Sequence, residues 1–111
     1  KSVGISVMKN NTDLVQMIRT LVKGSAENNW QFIQDYHFGG YAKYQTALLQ
    51  FMNDFYKQTH IPSDFVYTGK LFYAISDLIG KNYFPAGSKL VLVHSGGLQG
   101  NISLPDGTLI F

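Results

Sequence analysis

FVYTGKLFYAISDLIGKNYFPAGSKLVLVHSGGLQGN, residues 65–101, reads as a turn, an amphipathic helix, a Phe84-Pro85-Ala86-Gly87 bend, an apolar strand and a glycine-rich loop. Leu71, Phe72, Ile75, Leu78 and Ile79 recur at the spacing of one helical face, the stripe that packs into a core. Residues 89–94 (KLVLVH) are short and apolar, which predicts an interior strand. This order puts Tyr67 and Thr68 at the mouth of the helix, and His94, Ser95, Gly96 and Gly97 at the carboxyl end of the strand. Open α/β sheets bind ligands at that edge, because backbone N–H groups and helix N-termini converge there. The pattern indicates a small-molecule site without naming the molecule.

Outward from this stretch, residues 2–8 alternate and are β-branched, as buried parallel strands are. Asn10, Asn11, Thr12 and Asp13 then offer capping side chains and a first-turn acid to a helix carrying Leu14, Met17, Ile18 and Leu21. Lys23 and Gly24 close that helix with a cation and a permissive residue. Residues 25–29 read as a loop, and 30–36 (WQFIQDY) as a possible short strand. A second helix spans 45–59, with Leu48, Phe51, Met52 and Phe55 on one face, and ends before Pro62. Pro105, Asp106 and Gly107 signal a turn in the tail.

The expected fold class is therefore α/β: part of an open, mostly parallel sheet flanked by about three helices, one unit over residues 1–111. The chain opens on Lys1, Ser2 and Val3, already inside a strand-like run, and reads as a piece cut within a larger α/β protein. Two or three strands leave sheet edges unpaired and apolar faces uncovered. Such a piece is expected to seek the remainder of its own protein or a second copy, as a homo-oligomer.

Composition excludes several classes. Nine basic and seven acidic side chains give a net charge of +2, and the basic residues form no run. Nucleic acid and membrane surfaces each require a concentrated basic face, so neither is expected as a partner. There are no cysteines, which removes disulfides, thiolate zinc sites and thiol catalysis and is compatible with a cytoplasmic protein. No apolar run approaches the ~20 residues of a membrane span.

His37, His60 and His94 fall in different segments without metal-ligand spacing, so no metal site is expected. The acids are dispersed, and Ser95 in H-S-G-G lacks the G-x-S-x-G elbow of α/β-hydrolases. Gly39 and Gly40 beside His37, Phe38, Tyr41 and Tyr44 suggest irregular backbone packed against something flat; the simpler reading is a glycine bend covered by core tyrosines. By composition alone Tyr67 is an anchored core aromatic and Thr68 a helix cap. A small-anion site at Gly96 and Gly97 is a weaker option.

VYTGK (residues 66–70), GKNYFP (80–85), LVLVHSGGLQG (90–100) and YHFGGYAKY (36–44) together closely resemble one family. It is the 1-aminocyclopropane-1-carboxylate deaminase and D-cysteine desulfhydrase group of pyridoxal-phosphate enzymes, of the tryptophan-synthase β fold. The resemblance runs through the whole chain and aligns it with the C-terminal third of such enzymes. It implies that Tyr41 and Tyr67 position a small amino-acid substrate and move protons. It implies that Ser95 meets the pyridine nitrogen, with Thr68, Gly96 and Gly97 beside the cofactor. Where cyclopropane-opening members carry glutamate, this chain has Thr68. A neutral hydroxyl makes the ring a weaker electron sink, which suits β-elimination of the desulfhydrase kind. The family's Schiff-base lysine and phosphate-cradling loop match nothing here, so the chain alone is expected to be inactive; Lys70 is read as packing or snorkelling. The alternative is a non-catalytic α/β ligand-binding or interaction module.

Overall fold

β1 (Ser2–Ile5) and β2 (Trp30–Ile33) pair in parallel, with Ser2 opposite Trp30 and Ile5 opposite Ile33. The computed structural model describes residues 1–22 and 29–111. Two parallel strands cannot be joined by a tight turn, and α1 (Thr12–Leu21) lies between them in the chain, which makes a βαβ unit. The α/β class holds, and the strand expected over residues 30–36 forms but ends at Ile33. Asn10, Asn11, Thr12 and Asp13 were expected to cap α1. No side chain does so, and the Asn11 amide instead donates to Met8 Sδ. Of the expected stripe, Leu14 and Ile18 are half-buried, while Met17 and Leu21 stay exposed. The closure at Lys23 and Gly24, and the loop that follows through residue 28, lie outside the described residues.

α2 (Thr46–Thr59) buries Leu48 and Met52 completely and Phe51 and Phe55 in part, the face its periodicity predicts. It ends at His60, which takes the left-handed conformation (φ 57°) and donates its N–H to the Tyr56 carbonyl. α3 (Thr68–Gly80) packs against α2 at Gly69. A Cβ on Gly69 would lie 2.7 Å from the Asp64 carbonyl oxygen and 2.9 Å from Met52 Sδ, so only glycine permits this approach. One core gathers Leu48, Met52, Phe65, Val66 and Leu104; a second gathers Ile33, Ile75 and Leu78, with Val3 and Ile5 against it. Ile79, predicted to join the stripe of α3, is exposed instead.

Residues 89–94, predicted to be an interior strand, form none. Their exposures still alternate, with Leu90 and Leu92 at 38% and 37% but Val91 and Val93 at 90% and 74%. The segment is thus strand-like in periodicity, and with Leu71, Ile75 and Phe84 it lines a cleft of about 350 Å³ that also reaches Val3 of β1. A strand is defined by a hydrogen-bonded neighbour, and among the described residues none pairs with it. Beyond it, Leu98–Ser103 forms a 3₁₀ helix where a loop was expected. The predicted turn at Pro105 is present, closed by the Thr108 N–H on the Pro105 carbonyl at 3.2 Å. Among the described residues no helix is long and apolar enough to cross a membrane.

Candidate functional site

Asp64, which carries no obvious motif, is the centre of the site. It is fully buried, and its carboxylate accepts the N–H groups of Val66 (3.1 Å), Tyr67 (2.7 Å) and Thr68 (2.9 Å). Its own carbonyl accepts the N–H of Gly69 at 2.7 Å. These are the donors that a helix leaves unpaired at its start, so Asp64 fixes the mouth of α3 from within. Thr68, read as the cap, is the first helical residue, and its hydroxyl receives the Asp64 N–H (2.9 Å) and donates to Asp64 Oδ1 (3.0 Å). That hydroxyl is therefore engaged inside the scaffold. Helix N-termini often bind anions, but here the chain's own carboxylate occupies the position.

Tyr67 does not fill a core. It is 45% exposed, Tyr41 is 56% exposed, and their phenol oxygens stand 2.9 Å apart with the rings edge to face. The Tyr67 phenol is held above its ordinary value, chiefly by the hydrogen bond with Tyr41 and then by partial burial. Tyr41 arrives on a loop in which Phe38, Gly39, Gly40 and Ala42 all have positive φ. Gly40, at φ 127°, lies beside Lys9, past the carboxyl end of β1, which puts the phenol pair at the edge where α/β sheets bind ligands.

Lys70 neither snorkels nor reaches solvent. It is 0% exposed, and its Nζ donates to the carbonyls of His37 (2.8 Å) and Gly40 (2.9 Å). The third segment comes from the glycine-rich loop. His94 Nδ1 accepts the Gly96 N–H, so Nε2 carries the proton and donates to the Pro62 carbonyl at 2.8 Å. Asn101 holds the same segment from below, taking the Phe65 N–H and donating to the Ser63 carbonyl. Gly97 rests against Asp64, where a Cβ would be 3.1 Å from the carboxylate. A carboxylate beneath this loop disfavours a small-anion site at Gly96 and Gly97.

The structure thus joins Tyr41 to Tyr67 directly, and seats Gly97 on the Asp64 that supports Tyr67 and Thr68. Ser95 is exposed on that loop and makes no hydrogen bond with either tyrosine. Asp64 and Asn101 have no signature in the sequence, because a polar residue turned inward follows no periodicity; for Lys70 the available signal was its charged position in otherwise apolar FVYTGKLFY.

An α/β module with polar and aromatic groups gathered at its carboxyl edge is the class that this geometry defines. Along its whole length, the chain is similar to proteins named "Putative 1-aminocyclopropane-1-carboxylate deaminase". It is 29% identical to that of Pyrococcus furiosus over 118 residues, covering 100% of this chain and 35% of the relative. It is 30% identical to that of Pyrococcus horikoshii, over 96% of this chain and 34% of the relative. For Pyrococcus abyssi it is 31% over 79% and 26%. The resemblance read from the sequence is borne out, and the chain spans about a third of the length of the curated relatives it matches. No family model and no solved structure matches it.

Proposed function

We propose that this chain carries one side of the active site of a pyridoxal-phosphate-dependent lyase acting on a small amino acid. The supporting observation is the exposed Tyr41–Tyr67 phenol pair at the carboxyl edge, in a chain similar throughout to deaminase-named proteins. The residues present fit one side of a flat aromatic cofactor: exposed phenols on one segment pair, an exposed Ser95 hydroxyl on another, and Gly96 and Gly97 beside it. Pyridoxal phosphate, when bound, supplies withdrawal of electron density from the substrate's α-carbon. Ser95 offers the ring nitrogen a neutral partner, since the Thr68 hydroxyl is engaged by Asp64.

Tyr67, with its phenol held above the ordinary value by Tyr41, keeps its proton at neutral pH and can donate it; Tyr41 is placed to return it. A neutral Ser95 favours β-elimination, in which a leaving group accepts the electrons, over opening of an unactivated ring. D-cysteine-like substrates are therefore preferred to 1-aminocyclopropane-1-carboxylate. Lys70 is tied to two carbonyls, and the mouth of α3 is filled by Asp64, so neither serves as Schiff-base amine or phosphate cradle. Those parts come from the remainder of a longer cytoplasmic enzyme, whose strand fills the cleft between β1 and residues 89–93; self-association through the same face is the other way to cover it.

The test is to express the reading frame extended upstream of Lys1 and assay both substrates. Elimination from D-cysteine without ring opening is expected; robust ring opening with no elimination would overturn the preference. The 111-residue chain treated with pyridoxal phosphate and borohydride is expected to gain no stoichiometric label on any one lysine.

A further inference from the structure

We propose that Lys70 is the positioning residue of the phenol pair, setting through the His37 and Gly40 carbonyls where the loop carries Tyr41 against Tyr67. This inference deepens the proposed function and rests on it only for the chemistry, not for the geometry.

A fully buried ammonium is costly to desolvate and persists only where acceptors converge on it. Here the acceptors are the closing carbonyls of two consecutive turns. The Gly40 N–H bonds the His37 carbonyl at 3.1 Å, and the Lys43 N–H bonds the Gly40 carbonyl at 3.1 Å. Lys70 Nζ takes both of those oxygens as well, at 2.8 and 2.9 Å. Positive φ values at Phe38, Gly39, Gly40 and Ala42 give the loop this backbone, which carries a conformational cost at Phe38 and Ala42 that a fastening offsets. Tyr41 follows Gly40 immediately, while Tyr67 precedes Lys70 by less than one helical turn. One side chain therefore spans the two elements that bear the phenols, and its hydrogen bonds are of the stronger, charge-assisted kind. A methionine of similar length would fill the space and leave both carbonyls short of a donor.

The experiment uses the 111-residue chain labelled at the tyrosine ring carbon bearing the hydroxyl, with signals assigned by Tyr41→Phe and Tyr67→Phe. In the unaltered chain, removing either hydroxyl is expected to shift the signal of the other, and removing that of Tyr41 to lower the titration of Tyr67. In Lys70→Met that mutual effect is expected to vanish, with the Tyr67 titration falling toward the ordinary phenol value. Tyr36, whose hydroxyl donates to Asp77 at 2.7 Å in a separate cluster, is the internal control and keeps its raised value, as a general loosening of the fold would not allow. A folded Lys70→Met with the coupling intact overturns the proposal. Should that variant fail to fold, through-hydrogen-bond couplings from Lys70 ¹⁵Nζ to the carbonyl carbons of His37 and Gly40 decide in the unaltered chain; their absence overturns it. Neither readout involves cofactor or turnover, so failure here leaves the proposed activity standing, and failure of that activity leaves this geometry standing.

Discussion

The mouth of α3 and the segment at residues 89–93 both lie within the stretch 64–101 and meet opposite fates in the structure. Around Asp64 the N–H groups of Val66, Tyr67, Thr68 and Gly69 all have acceptors, and Lys70 and Asn101 bind two further segments onto it. At residues 89–93 the alternation of a strand is present, but Val91 and Val93 stand in solvent. The difference lies in where the partners reside. Helix starts are completed by residues a few positions away, whereas strands need a neighbour from elsewhere.

Substitutions at the two regions should separate sharply. Gly69→Ala has the largest expected effect, since its Cβ would meet backbone at 2.7 Å; overpacking of this kind costs about 3 kcal/mol. A clear fall in the urea midpoint checks it. Asp64→Ala follows, leaving buried N–H groups and the Thr68 hydroxyl without their acceptor, at a cost of about 2 kcal/mol by the same measurement. An unchanged midpoint in either variant would remove the distinction between the regions.

Titration sharpens the comparison further. Burial pushes the Lys70 ammonium down from 10.5 to about 8, with nearby Asp64 opposing the shift. Its folded value lies below its unfolded one, so its contribution to stability is complete above 10.5 and is lost as pH falls through about 8. Stability from this group therefore rises with pH across that window, while the raised Tyr67 phenol begins to subtract above 10.0. The ¹³Cε signals of the lysines should include one with a midpoint near 8; a single common midpoint at the ordinary value would contradict the buried assignment. The smallest effect is expected at the other region: Val91→Asp should change unfolding stability by no more than about 0.5 kcal/mol. It should at the same time weaken self-association measured by sedimentation.

Much of the local structure was legible because it is written in short-range pattern. Leu48 and Met52 on α2, and Phe72, Ile75 and Leu78 on α3, follow helical spacing into the cores. The residues of the phenol pair were reached through family resemblance, and composition alone misread Tyr67 as a core ring. Lys70 was read as packing or snorkelling, and it packs; the sequence left the choice open for a physical reason, since whether a lysine snorkels or is swallowed depends on carbonyls thirty positions away, which no local pattern encodes. Residues 89–94 failed for the same reason in reverse. Their alternation reports strand character truthfully, and says nothing about whether a neighbour is there to pair.

The meeting of Tyr41 and Tyr67 is the claim on which the rest depends, and photo-oxidative dityrosine coupling of the 111-residue chain tests it most directly. With phenol oxygens 2.9 Å apart and ring centroids at 6.0 Å, a Tyr41–Tyr67 crosslinked peptide is expected as the leading intramolecular product by mass spectrometry. Coupling of other pairs such as Tyr36 with Tyr73, without any joining Tyr41 to Tyr67, would contradict the account.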